Sequence, residues 1–361
     1  SFHPMKRHLH LWAAFAALVL ALPAVAAEAF TTGPGWLEFP AGKGAGAGKH
    51  VVLLAGDEEY RSEESMPMLA RILSERHGFK CTVLFSHDEG VINPNNTASL
   101  GKPEALDTAD ALVLGLRFRK WNEASLAKFD AALKRGIPIV ATRTSTHAFA
   151  GIPKDSAFIA YNWNNEGGFG RKVLGETWVS HWGNHKSEAT RTVIEPGAEK
   201  LAVLNGVGQI FGDTDVYEAN PPADVQVLLR GLVLKGMNPE DPLSERSKNT
   251  KDKKEQGVNS PAMPVAWTRE VANAAGTKNR VLTTTMGAAT DLKDESLRRL
   301  LVNGVYWGLG LDVPAKADVT PLVEWIPSKY SNNMFHPGLK AEGFVGVLPP
   351  PLTAAPAKKK K

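Results

Sequence analysis

The chain has 361 residues, 43% apolar and 22% charged, with a formal net charge of +4, a composition that excludes a disordered or fibrous chain and can fill a sizeable core. The basic excess lies at the ends, in Lys6 and Arg7 and in Lys358 to Lys361, so no concentrated basic face supports a nucleic-acid role. Cys81 is the only cysteine; no intramolecular disulfide can form, and its place in the strand-like run FKCTVLF reads as a buried structural thiol rather than a nucleophile.

In chain order, the basic pair precedes an apolar, Ala-rich run, and Ala24-Val25-Ala26 has the small-x-small pattern of a signal-peptidase site. Residues 1–27 therefore read as a secretory signal, and the mature protein as periplasmic or extracellular with no membrane anchor. Residues 28–49, with AGKGAGAGK at 41–49, have the composition of a flexible linker. The globular domain is expected over residues 50–312. It opens with a buried strand, HVVLLA, a dense polar turn at 56–64, and an amphipathic helix with Met66, Leu69, Ala70 and Leu73 at i, i+3, i+4 and i+7. Pro67 suits only the first turn of such a helix.

The Cys81 strand follows, then a third strand, ALVLGL, at 111–116 and a helix over residues 122–135 with Leu126, Phe129, Ala132 and Leu133 on one face. A fourth strand begins directly after Gly136, in GIPIVATRTSTHAF. Strand and helix alternate over short connections, which predicts βαβ units and a parallel sheet covered on both faces. A looser aromatic stretch at 151–185 reads as a large loop region folded over one sheet edge. Later strands are expected at 191–194, 225–234, 264–271 and 280–285, a charged surface excursion at 238–261, and a last helix at 294–309. From residue 313 to 361 the chain is Pro-rich and basic and reads as an irregular tail.

Ligands in open α/β sheets gather beyond the carboxyl ends of the strands, and three polar strand ends converge there, at 57–61, 117–121 and 143–147. Arg61, Arg117, Arg119 and Arg143 offer planar donor forks for a carboxylate, phosphate or hydroxyl-rich ligand. Asp57, Glu58 and Glu59 supply acceptors, beside Tyr60 and Thr144. A sugar needs both kinds of group and an aromatic face, which Trp163, Trp178 or Trp182 could provide. The competing reading makes these arginines and acids an internal network that holds the loops, with Arg143 capping carbonyls. His181 and His185 stand four apart, a metal-ligand spacing on a helix, but Gly183 and Asn184 argue against a helix there and no metal is expected. His181 and His147 are the acid/base candidates, with Glu58 as a third catalytic candidate.

The motifs together resemble the ThuA-like (trehalose-utilisation) proteins. The resemblance spans about residues 50–312 and rests on VVLLAGDEEYRSEES, IVATRTSTHAF, GGFGRKVLGETWVSHWGNH, DTDVYEAN, MPVAWTRE, and RVLTTTMGAATD followed by LLVNGVYWGLG. It implies an α/β fold of the class I glutamine amidotransferase type, a flavodoxin-like three-layer sandwich with a mainly parallel sheet. It also implies a role in carbohydrate metabolism, on trehalose or 3-keto sugars, with a small-molecule sugar as partner and no cofactor. An amidotransferase carries a nucleophilic Cys where this chain has Arg143, ThuA-like members commonly have His there, and the family's later His is here Ala288. An arginine cannot serve as the nucleophile, so glutamine hydrolysis is out of reach. The expected activity is lyase, isomerase or hydrolase work on a sugar, with a non-catalytic carbohydrate- or anion-binding module of the cell envelope as the alternative.

Overall fold

The computed structural model describes residues 30–353; the expected signal peptide and the terminal lysines lie outside them. Eleven strands form one sheet: β1 (Thr31–Gly33), β2 (Trp36–Phe39), β3 (His50–Gly56), β4 (Lys80–Phe85), β5 (Ala111–Leu116), β6 (Ile139–Thr142), β7 (Thr190–Ile194), β8 (Phe211–Gly212), β9 (Gln226–Val233), β10 (Met263–Ala272) and β11 (Lys278–Thr284). Across the sheet they lie in the order β1-β2-β4-β3-β5-β6-β11-β10-β9-β7-β8. Three α-helices accompany them: α1 (Ser62–His77), α2 (Glu123–Lys134) and α3 (Glu295–Leu309).

The pairing is parallel only from β4 through β3, β5 and β6 to β11. Both flanks are antiparallel. The expected mainly parallel sheet is thus corrected to a mixed sheet with a parallel centre. The departure arises after the fourth parallel strand, where β11 follows β10 as an antiparallel neighbour over seven registered residues, a connection too short for a helical crossover.

Alternation along β3 divides the core. Val51, Leu53 and Ala55 join α1 and α3 in one apolar cluster, while Val52 and Leu54 join Leu126, Phe129 and Leu133 of α2 in another. Each face of the parallel centre therefore carries its own helices, as the two-residue period of a strand requires. Helix α2 is capped by the Asn122 side chain, which accepts from the Ser125 N–H at 2.9 Å, and α3 by Asp294, which accepts from Ser296 at 2.8 Å. Helix α1 begins at Ser62, so Pro67 stands inside it rather than in its first turn; the ladder loses one N–H there. Among the described residues, no helix is long and apolar enough to cross a membrane.

Three segments read as peripheral are integral. Within the expected linker 28–49, β2 pairs with β4 from Trp36 opposite Leu84 to Phe39 opposite Cys81. The glycines of 41–49 let the backbone lie against the end of α1: the Gly46 N–H donates to the His77 carbonyl at 2.8 Å, and a Cβ on Gly44 would stand 2.5 Å from that oxygen. The tail beyond residue 313 straps back over α1, where the Ser328 N–H donates to Glu64 Oε2 at 2.7 Å and His336 Nε2 bonds Glu64 Oε1 at 3.0 Å. The charged excursion contains a hairpin, Ser247–Asn249 with Glu255–Gly257, and is tied down by Arg246 on Glu188 at 2.6 Å.

Cys81 is wholly buried in β4, and burial pushes its thiol pKa up. The native thiol should stay inert to a thiol-specific reagent until the protein unfolds. Cys81→Ala should cost about 1 to 2 kcal/mol from lost packing and leave ligand binding intact, read by denaturant unfolding. A rapidly labelled native thiol would contradict this placement.

Candidate functional site

The three polar strand ends meet as expected, and Asp57 joins two of them. Its Oδ1 accepts from the backbone N–H groups of Glu59 at 2.8 Å and Tyr60 at 3.0 Å. Its Oδ2 accepts from the Thr144 hydroxyl, fastening the end of β3 to the end of β6. Arg143, the first residue after β6, has φ 40°, an uncommon backbone for a residue other than glycine, which its surroundings must hold in place.

The Arg143 side chain is 1% exposed and turned inward. Nη1 donates to the backbone oxygens of Asp215 at 2.7 Å and Thr285 at 2.8 Å. Nη2 donates to Asp215 Oδ1 at 2.9 Å and to the Tyr60 hydroxyl at 3.3 Å. The guanidinium carbon lies 3.8 Å from the centroid of the Tyr217 ring, a cation–π contact on the remaining side. One arginine thereby holds β6, β11 and the 213–220 segment together, as in the capping alternative.

Asp215 turns this anchor into a site. The segment 181–185 is not helical; Trp182 and Gly183 donate their N–H groups to the Val216 carbonyl at 2.8 and 3.0 Å, folding the stretch over the 215–217 segment. His181 Nδ1 then lies 2.8 Å from Asp215 Oδ2, and His185 Nδ1 lies 3.0 Å from Oδ1. The two rings are 4.6 Å apart between centroids. His185 Nε2 is 3.2 Å from Glu59 Oε1. Burial opposes ionisation of Asp215, but Arg143 and the two histidines outweigh it and hold the carboxyl well below the usual range. Hydrogen bonds to Asp215 and Glu59 raise the pKa of His185 against a smaller desolvation effect. Carboxylate acceptors on both sides favour the charged form of His185, in which each ring N–H donates. His181 gives Nδ1–H to Asp215, and its Nε2 has no partner among the described residues, on a side chain 39% exposed.

The remaining candidates separate into exposed and structural groups. Arg61 is fully buried, donating to the carbonyls of Glu58 at 2.6 Å and Ser331 at 3.2 Å and to that of Met334. Arg119 is equally buried, on the Pro94 carbonyl at 2.9 Å and Glu58 Oε2 at 2.6 Å. These two and Arg143 are corrected from ligand contacts to an internal network. Glu58, held between Arg119 and Arg117, has no oxygen free to act as a base. Tyr60 and Thr144 are buried in the same framework. His147 is 3% exposed; burial, with Arg117 and Arg143 adding to it, pushes its pKa well below the ordinary value, so it is a neutral ring in the wall. Its centroid lies 5.0 Å from Phe118 and 5.9 Å from Trp178.

Arg117, His181, His185 and Trp163 remain partly accessible, whereas Glu59 is buried behind His185. Trp163 stands 6.2 Å from Trp178, and Trp178 5.7 Å from His181, between ring centroids. Asp215 lies in the DTDVYEAN motif that carries the resemblance; its role as the hub between the two histidines is what the sequence did not show. Tyr330, 5.7 Å from His185, comes from the strap, where no sequence pattern marked a site.

Ligand atoms of His181, His185 and Asp215 lie within 4.8 Å of one another and could converge on a divalent cation. The set is a poor one for that role. Asp215 already carries a guanidinium at 2.9 Å, and an imidazolium between two carboxylates has no lone pair to give.

No protein-family model matches the sequence, and no curated protein matches it. Among solved structures, the chain is similar to proteins described as ThuA-like from Parabacteroides merdae ATCC 43184 (15% identity, 74% of this chain and 92% of that one, TM-score 0.46) and from Bacteroides uniformis ATCC 8492 (14% identity, 74% and 94%, TM-score 0.45). It is also similar to a GMP synthase component from Thermoplasma acidophilum (10% identity, 71% and 92%, TM-score 0.35).

Replacing Arg143 should act on stability first. Arg143→Met leaves Asp215 a buried carboxylate without its guanidinium, a change expected to cost about 3 to 5 kcal/mol. Denaturant unfolding measures it, and a loss below about 1 kcal/mol would return Arg143 to the role of a ligand contact.

Proposed function

We propose that this chain is an exported ThuA-like protein, with the flavodoxin-like three-layer arrangement of that family, that acts on an oxidised sugar by proton transfer at His181. The observation that carries this reading is the free Nε2 of His181, backed through Nδ1 by a buried carboxylate and bordered by the His185 imidazolium and the Trp163–Trp178 wall. A carboxylate behind one imidazole nitrogen fixes the tautomer and makes the other nitrogen a base, as in other acid/base sites.

A sugar carrying a ketone fits this chemistry. His181 Nε2 removes the proton from the carbon beside the carbonyl; the C–H electron pair forms the new carbon–carbon double bond, and the carbonyl π pair moves onto the oxygen. His185 and Arg117 provide positive charge beside the developing enolate. Return of the proton through the enediol to the former carbonyl carbon, on the same face, gives the isomer with its ketone one carbon along; expulsion of a leaving group from the next carbon, protonated by the His181 Nε2–H, gives the lyase product. The aromatic wall receives the apolar C–H face of the ring.

The test follows solvent deuterium entering a 3-keto-glucoside by proton NMR. Catalysed exchange is expected, falling at least about 100-fold in His181→Asn while saccharide binding, followed by thermal shift, persists. Binding without exchange would leave the non-catalytic module. Undiminished exchange in the variant would place the base elsewhere. Export is tested by mass spectrometry of the secreted chain, with a mature N-terminus expected near Ala27; an intact Met5 would contradict it.

A further inference from the structure

The structure has a cleft of about 930 Å³ whose lining includes Trp163 and Trp178, the second of which packs on His181. The charged excursion contributes to the lining with Lys254 and Gln256. We infer that this cleft receives the continuation of the substrate, which is a neutral oligosaccharide rather than a single sugar ring; the inference rests on the sugar reading of the His181 site.

Its position is the first argument. Trp178 is shared: it lines the cleft and meets His181 edge-on at 5.7 Å. A chain with its reacting ring at His181 would continue past Trp178 and Trp163, and indole faces pair with the C–H faces of sugar rings. The volume is the second. About 930 Å³ stands at the upper end of the ~300–1,000 Å³ occupied by drug-sized ligands, more than one hexose needs.

Charge is the third. Glu176 accepts from Arg171 at 2.8 Å, from the Thr177 N–H at 2.9 Å and from the Asn220 N–H at 2.6 Å. Glu218 accepts from the Ser180 hydroxyl at 2.8 Å and the Lys251 N–H at 2.7 Å. Both carboxylates line the cleft, and both are already stabilised by protein donors, so neither requires a cationic ligand. Their spare lone pairs suit hydroxyl donors. The lining carries four basic side chains, among them Lys251 and Lys254, against four acidic ones, so walls of balanced charge suit a neutral polyol better than an anion or a cation.

Tryptophan fluorescence and calorimetry with glucose, maltose, maltotriose and cellotriose test the inference. At least one trisaccharide should bind about tenfold tighter than glucose, and this ratio should approach one in a Lys254→Ala, Gln256→Ala double variant, which removes the excursion's side chains from the lining. Equal affinities for glucose and both trisaccharides would overturn the extended site and leave the proposed function standing. If no saccharide binds, including the 3-keto-glucoside, both fall. A length gain that survives in the double variant would place the added rings elsewhere and overturn the assignment of this cleft.

Discussion

The site depends on one buried ion pair, Arg143 with Asp215. Both side chains are almost wholly removed from solvent, and a pair so placed is held at a desolvation cost that only dense hydrogen bonding offsets. Here the bonding is dense: the guanidinium reaches two backbone oxygens, a carboxylate, a phenol and a π-face. What the pair secures is geometry. Asp215 keeps one oxygen for each histidine, and its position is fixed from the end of β6, not from the loop that carries the histidines.

The same logic runs through the other arginines at this edge. Arg61 binds the C-terminal strap to the first polar turn, and Arg119 binds the turn after β5 to the loop near Pro94. Loops cannot bury an apolar core of their own, so charged forks with several backbone acceptors take over the task of ordering them. A rigid frame beneath and a few accessible groups above is the arrangement that positions reacting side chains to within fractions of an ångström.

The parallel centre of the fold was legible in the sequence because its strands are continuous apolar runs set between helical periods. The flanking pieces were not. Short β2, with alternating Trp36, Leu37, Glu38 and Phe39, sits beside a glycine-rich run whose composition speaks for flexibility, while its glycines instead permit close approach to α1. The strap has no period, because its buried side chains, Val319, Tyr330, Ala341 and Phe344, and its hydrogen bonds to α1 and to the site are scattered along it. At the site, residue types and convergence could be read from strand ends, but direction could not. A buried and an accessible arginine share the same sequence signature, and only the fold shows that Arg143 and Arg61 turn inward while Arg117 stays at the rim. The two histidines meet Asp215 because the 181–185 turn lies on the 215–217 segment, a long-range contact that leaves no local pattern in the sequence.

The most direct measurement is nitrogen-15 NMR of the histidine rings across pH. His185 is expected to titrate above its ordinary value of 6.5, with both nitrogens donating in its charged form, and neutral His181 to carry its proton on Nδ1. The sign is fixed by linkage: a raised histidine contributes stability that is full below its unfolded value and is lost as pH rises through the folded one. Glu59→Gln should bring the His185 value down. A His185 that titrates at or below 6.5, or a neutral His181 protonated on Nε2, would contradict the claim that Asp215 organises the site.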